Sequence, residues 1–133
     1  MSRFIIVALA SGILFGFMDV AINANPLAQR LLKPFKPITR ARVNFVAGIF
    51  IDLLYGFVMA WIFLLLFPSL PGSTDIVKGV AFGGIAWFFR VLMSVLSQWV
   101  MFDLPIRTLV YLAISGLIEM LIIGIVYGAF INP

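Results

Sequence analysis

One arginine, Arg90, stands near the middle of an apolar run from Gly79 to Met101, GVAFGGIAWFFRVLMSVLSQWVM. A cation at the centre of a membrane span costs roughly 2.5–3.5 kcal/mol on insertion scales, so it needs a partner. Three other apolar stretches carry carboxyl groups that could meet it, at Asp19, Asp52 and Glu119. Two kinds of chemistry are open to such a set. One is ion pairing that fixes the packing of helices, because breaking a buried pair leaves a costly unpaired charge. The other is uptake of a proton or small cation, because three acids opposing one base leave an excess of acid. Asp52 and Glu119 could offer oxygen ligands to a metal, but Arg90 beside them would repel it, so no metal site is expected.

Other chemistries are excluded by what is missing. The chain has no histidine and no cysteine. Ser11, Ser94, Ser97 and Ser115 therefore lack the base that a Ser-His-Asp arrangement requires. Zinc ligation, haem ligation through His or Cys, and disulfides are likewise absent. Pro71-Gly72-Ser73 lacks the glycine spacing and lysine of a phosphate-binding loop. An enzyme is not expected, and no cofactor is implied.

The elements that must position the four charged residues are membrane helices. Of the 133 residues, 64% are hydrophobic and 11% charged, with a mean hydropathy of +1.21. Soluble domains average about 45–50% apolar and 25% charged residues, so the bilayer is the expected solvent. Four runs are long enough to cross it, at about 4–23, 43–67, 79–101 and 108–131. In the first, Ser11, Gly12, Gly16, Asp19 and Asn23 share a face, and Gly12 and Gly16 form a GxxxG. Asp19 interrupts the run, which argues against a cleaved signal peptide. In the second, Gly48, Asp52 and Gly56 recur every four residues. In the third, Gly83, Trp87, Arg90, Ser94 and Ser97 share a face, with Gln98 adjoining it. The fourth carries Ser115, Gly116, Glu119, Gly124 and Gly128.

Between the first two runs lies ANPLAQRLLKPFKPITRAR. Asn25-Pro26 suits a helix start, and Pro34 and Pro37 interrupt the segment beyond it. A short interfacial helix is expected there. Arg30, Lys33, Lys36, Arg40 and Arg42 could bind anionic lipid headgroups or simply orient the protein. Their clustering in one connection marks a cytoplasmic loop, not a nucleic-acid surface. Arg107 adds to the same side, whereas the opposite side holds Arg3 and Lys78. Both termini are therefore expected outside the cytoplasm, in a multi-pass protein of the cell membrane.

Counting 1.5 Å per residue from the cytoplasmic helix ends gives the depth of each charge. Arg90 and Glu119 both lie about 16 Å deep, near the midplane of a 30 Å core. Their helices are joined by a short connection, so an Arg90–Glu119 ion pair is expected. Asp52, about 13 Å deep, could reach the same guanidinium. Asp19 lies only about 6 Å from its helix end, near the depth of Asn44, and reads as an interfacial or packing residue.

The expected fold is all-α, a single bundle of four transmembrane helices. The first functional reading is an interaction protein, an accessory subunit or self-assembling bundle held by the Arg90, Glu119 and Asp52 cluster. A homo-oligomer or a larger membrane complex is the corresponding assembly. The alternative is a proton- or cation-linked transporter or channel using the same charges, with Asp19, Asn44, Ser94, Ser97 and Gln98 as secondary polar groups.

Overall fold

The computed structural model describes residues 2–38 and 44–131. Among them every regular element is helical, and four segments are long and apolar enough to cross a membrane: Ser2–Ala24, Phe45–Ser69, Asp75–Met101 and Ile106–Phe130. The protein is an all-α, multi-pass membrane bundle. Arg40, Arg42 and the Val43 start of the second run lie outside the described residues.

Helix α1 (Ser2–Ala24) ends at Asn25, whose side chain accepts from the Ala28 N–H and opens the short helix α2 (Pro26–Leu31). A 3₁₀ stretch, Lys33–Ile38, comes next, with Pro37 inside it. Helix α3 (Phe45–Leu66) is capped by Asn44, whose Oδ1 accepts from the Ala47 N–H at 3.1 Å. The third span begins at Asp75, one turn before the expected Gly79. Thr74 is the reason: its hydroxyl accepts from the Val77 N–H, and Asp75 places negative charge in the first turn. That span consists of α4 (Asp75–Trp87), a π-helical turn (Phe88–Leu92) and α5 (Met93–Met101). Helix α6 (Ile106–Phe130) completes the bundle.

The helices pack as two close antiparallel pairs. In membranes, apolar burial from water does not drive helices together, so close backbone approach and dispersion must. In α1 and α3 the approach centres on Gly12 and Gly56. A Cβ on Gly56 would stand 2.6 Å from the Gly12 nitrogen, closer than atoms tolerate. In α4 and α6 the contact is longer, with Gly79 and Gly83 laid against Met120, Gly124 and Gly128. Gly79 and Gly124 each lie against the other's carbonyl oxygen.

The two pairs meet through α1 and α6. Ser11 and Tyr127, both buried, bring their hydroxyls to 2.9 Å, and Tyr127 also donates to the Gly56 carbonyl. Ser11 can otherwise turn its proton to the Ala8 carbonyl. Phe63 fills the space beside them, 5.3 Å from the Phe82 ring and 5.8 Å from Tyr127. This aromatic core closes the half of the bundle nearest the two termini. Toward the first connection α3 separates from the rest: Phe45, Val46 and Phe50 are each at least 66% exposed.

The glycine contacts yield a paired test. Gly124→Ala should destabilise the folded protein in detergent by roughly 1–3 kcal/mol, since the new methyl meets backbone that cannot yield without moving a helix. Among the described residues Gly48 meets nothing within 4 Å, so Gly48→Ala should stay within about 0.5 kcal/mol of wild type. Thermal unfolding of the two variants side by side checks both.

Candidate functional site

Arg90 sits in the π-helical turn of the third span. There the Met93 N–H bonds the Phe88 carbonyl, five residues back, so the turn holds one residue more than an α-helix would. The extra residue rotates everything beyond it by roughly 100° relative to a continuous helix. Gln98 thereby takes the direction expected for Ser97. Ser97 itself is exposed and donates back to the Met93 carbonyl at 2.9 Å.

The Arg90 guanidinium contacts all three other spans. Its Nη1 donates to Glu119 Oε1 of α6 at 2.7 Å, the one ion pair found among the described residues. Its Cζ lies 4.6 Å from the centroid of Tyr55 on α3 and 5.5 Å from that of Phe15 on α1. Aromatic faces carry partial negative charge, so both rings favour the cation on the sides away from the groove. The pair is unevenly placed: the Glu119 side chain is 3% exposed and that of Arg90 28%.

Asp19, expected as an interfacial or packing residue, stands beside this pair. Its side chain lines the same groove as Arg90 and Glu119. Asp52 turns toward α1, where a Cβ on Gly16 would stand 3.3 Å from its Oδ2. The expected depth was wrong because α1 does not end at the helix-end level of α6. The Tyr111 hydroxyl, five residues into α6, donates to the Ile22 carbonyl. Asn25 Nδ2 caps the same end, donating to the Ala21 carbonyl at 2.8 Å and to the Tyr111 oxygen at 3.1 Å. These bonds tie the end of α1 to the first turns of α6, and Asp19 lines the same groove as Glu119. Asn44 is the converse correction: it is the exposed cap of α3 and takes no part in the cluster.

A groove of about 260 Å³ leads to these charges, walled by α1, α5 and α6. Asn23, Gln98 and Leu112 line it toward the first connection; Asp19, Arg90 and Glu119 line its inner end. Helix α3 contributes no wall. The groove is rich in acceptors. Asn23 spends its amide N–H on the Asp19 carbonyl, and Ser115 can spend its proton on the Leu112 carbonyl. The Nε2 of Gln98 points to Ser94 Oγ at 3.4 Å, while its Oε1 is buried with no donor among the described residues. Such an oxygen costs roughly 1–3 kcal/mol until something donates to it. Residue spacing alone placed Ser94 and Gln98 near Arg90; the parts of Asp19, Asn23, Tyr55 and Phe15 emerge only from the packing.

The chain matches no protein-family model, no curated protein and no solved structure. Its chemistry must therefore be read from the groove and the charges.

The ion pair lends itself to a double-mutant cycle. Arg90→Gln leaves Glu119 buried without its cation and should cost about 1–3 kcal/mol, less than a fully buried pair because the arginine retains some exposure. Glu119→Gln should cost less, since Tyr55 and Phe15 still face the guanidinium. The double variant should be more stable than the sum of the two single losses implies, as measured by chemical unfolding in mixed micelles.

Proposed function

We propose that the protein is a small proton- or cation-linked transporter or channel whose site is the cluster of Asp19, Asp52, Arg90 and Glu119. One observation carries this reading: Arg90, its ion-pair partner Glu119 and Asp19 line the inner end of a polar groove, and Asp52 stands nearby, turned toward α1. A single cation neutralises only one of the three carboxyl groups. Two neighbouring carboxylates have acceptors and no donor, so a proton or small cation held between Asp19 and its neighbours relieves the deficit. The acceptors along the groove, above all the undonated Gln98 oxygen, favour the same kind of guest.

The packing also supports alternating access. Toward the first connection the cluster is reached through the groove. Toward the termini it is closed by Ser11, Tyr127, Phe63 and Phe82. By the positive-inside rule the open end faces the cytoplasm. Opening the other end requires parting the Ser11–Tyr127–Gly56 contact, where the two helix pairs meet.

The second reading is an interaction protein, an accessory subunit or self-assembling bundle. The exposed start of α3, with Phe45, Val46 and Phe50 unpacked, favours it. The glycine faces around Gly12, Gly56, Gly79 and Gly124 are already spent within the chain, which leaves less for a partner.

Flux measurements in liposomes separate the readings. Under an imposed pH or cation gradient, the wild type should conduct. Asp19→Asn and Glu119→Gln should each lower flux at least tenfold while remaining folded. Ser97→Ala, outside the groove, should leave flux unchanged. A folded wild type without flux, with assembly lost in Arg90→Gln, would instead support the interaction reading.

A further inference from the structure

A second pocket lies at the first-connection end of the bundle, away from the charge cluster, with a volume of about 230 Å³. Arg30 and Lys33 form one wall and Arg107 the other, with Pro34, Pro105 and Thr108 between them. Two segments far apart in sequence build it. They are held together by the buried Thr108, whose hydroxyl donates to the Leu31 carbonyl, and by α2, whose Ala28 is fully buried. Proline presets the backbone on both sides: Pro105 precedes α6 with φ −61°, and Pro34 enters the 3₁₀ stretch.

The electrostatics are one-sided. Among the described residues no acidic side chain lines the pocket, and the one ion pair involves none of its three cations. Three like charges around one cavity repel, and an anion placed among them turns repulsion into attraction. Guanidinium groups suit phosphate oxygens in particular, because their paired N–H donors match two oxygens at once. The surroundings favour a lipid as the source of that phosphate. Ile106, next to Arg107, is 69% exposed, and Leu27, one turn before Arg30, is 53% exposed. A free phosphate gains nothing from such neighbours, whereas acyl chains do.

We infer that Arg30, Lys33 and Arg107 form a binding site for the phosphate headgroup of an anionic lipid, bound where the first connection folds onto the start of α6. The site is independent of the transport reading, since it uses none of the residues of the charge cluster. It includes Arg107 and sets the pocket apart from the rest of the basic loop. Lys36, on the same loop, does not line the pocket.

The test is native mass spectrometry of the full-length protein from mixed micelles containing phosphatidylglycerol and phosphatidylcholine in equal amounts. The wild type should retain phosphatidylglycerol preferentially. Arg30→Gln, Lys33→Gln and Arg107→Gln should each lower that retention about fivefold, whereas Lys36→Gln should not. Circular dichroism confirms that each variant is folded, and Arg107→Lys, which keeps the charge, should recover part of the binding if Arg107→Gln proves unstable. Equal retention of the two lipids by the wild type would overturn the inference. So would an equal loss from Lys36→Gln and Arg107→Gln, which marks diffuse attraction to the loop. Displacement of the bound lipid by millimolar inorganic phosphate would reassign the site to a soluble anion.

Discussion

The structure depends on the cost of keeping one guanidinium away from water. Arg90 cannot lose its proton under ordinary conditions, and the middle of a membrane span offers it little solvent beyond the groove. Every other span must therefore bring it something. Helix α6 brings Glu119, α3 brings the face of Tyr55, and α1 brings Phe15. Asp19 lines the same groove as the pair, and Asp52 turns toward α1 at Gly16. One residue thus contacts all three other spans, a constraint that apolar packing alone supplies poorly where lipid is as apolar as the core.

Two backbone features make this convergence possible. Glycines let α1 approach α3 and α4 approach α6 closely, which locks each pair near the termini. The π-helical turn then redirects the third span just where Arg90 must face inward. Val91 also turns inward, its side chain lying within 3 Å of where a Cβ on Gly116 would stand. Beyond the turn, α5 carries Ser94 and Gln98 along one wall of the groove, while α3 leans away. A tight half and a polar, open half result from the same four helices.

Much of this was legible in the amino-acid sequence, and the failures have identifiable causes. Length and hydropathy marked the four spans, and equal counting from two adjacent helix ends brought Arg90 level with Glu119. The same counting misplaced Asp19. It assumed that every helix ends at one plane, and Tyr111 ties the end of α1 to the first turns of α6 by a long-range hydrogen bond that no local pattern announces. Asn44 was grouped with the polar cluster by depth, although an Asn just before an apolar run is itself the signal of a helix cap. The exchange of Ser97 for Gln98 came from the π-helical turn. A period of 3.6 residues per turn leaves no room for an inserted residue.

If the acids around Arg90 exceed the charge available to neutralise them, they must hold a proton or a cation. Infrared spectroscopy of the carboxyl groups tests this most directly, with the protein in lipid bilayers at neutral pH and in buffer free of alkali-metal cations. The expected spectrum contains the carbonyl band of a protonated carboxylic acid, sensitive to deuterium exchange and weakened by Asp19→Asn. Spectra in which all carboxyl groups absorb as carboxylates would contradict it. They would leave Arg90 and its neighbours as a packing device alone.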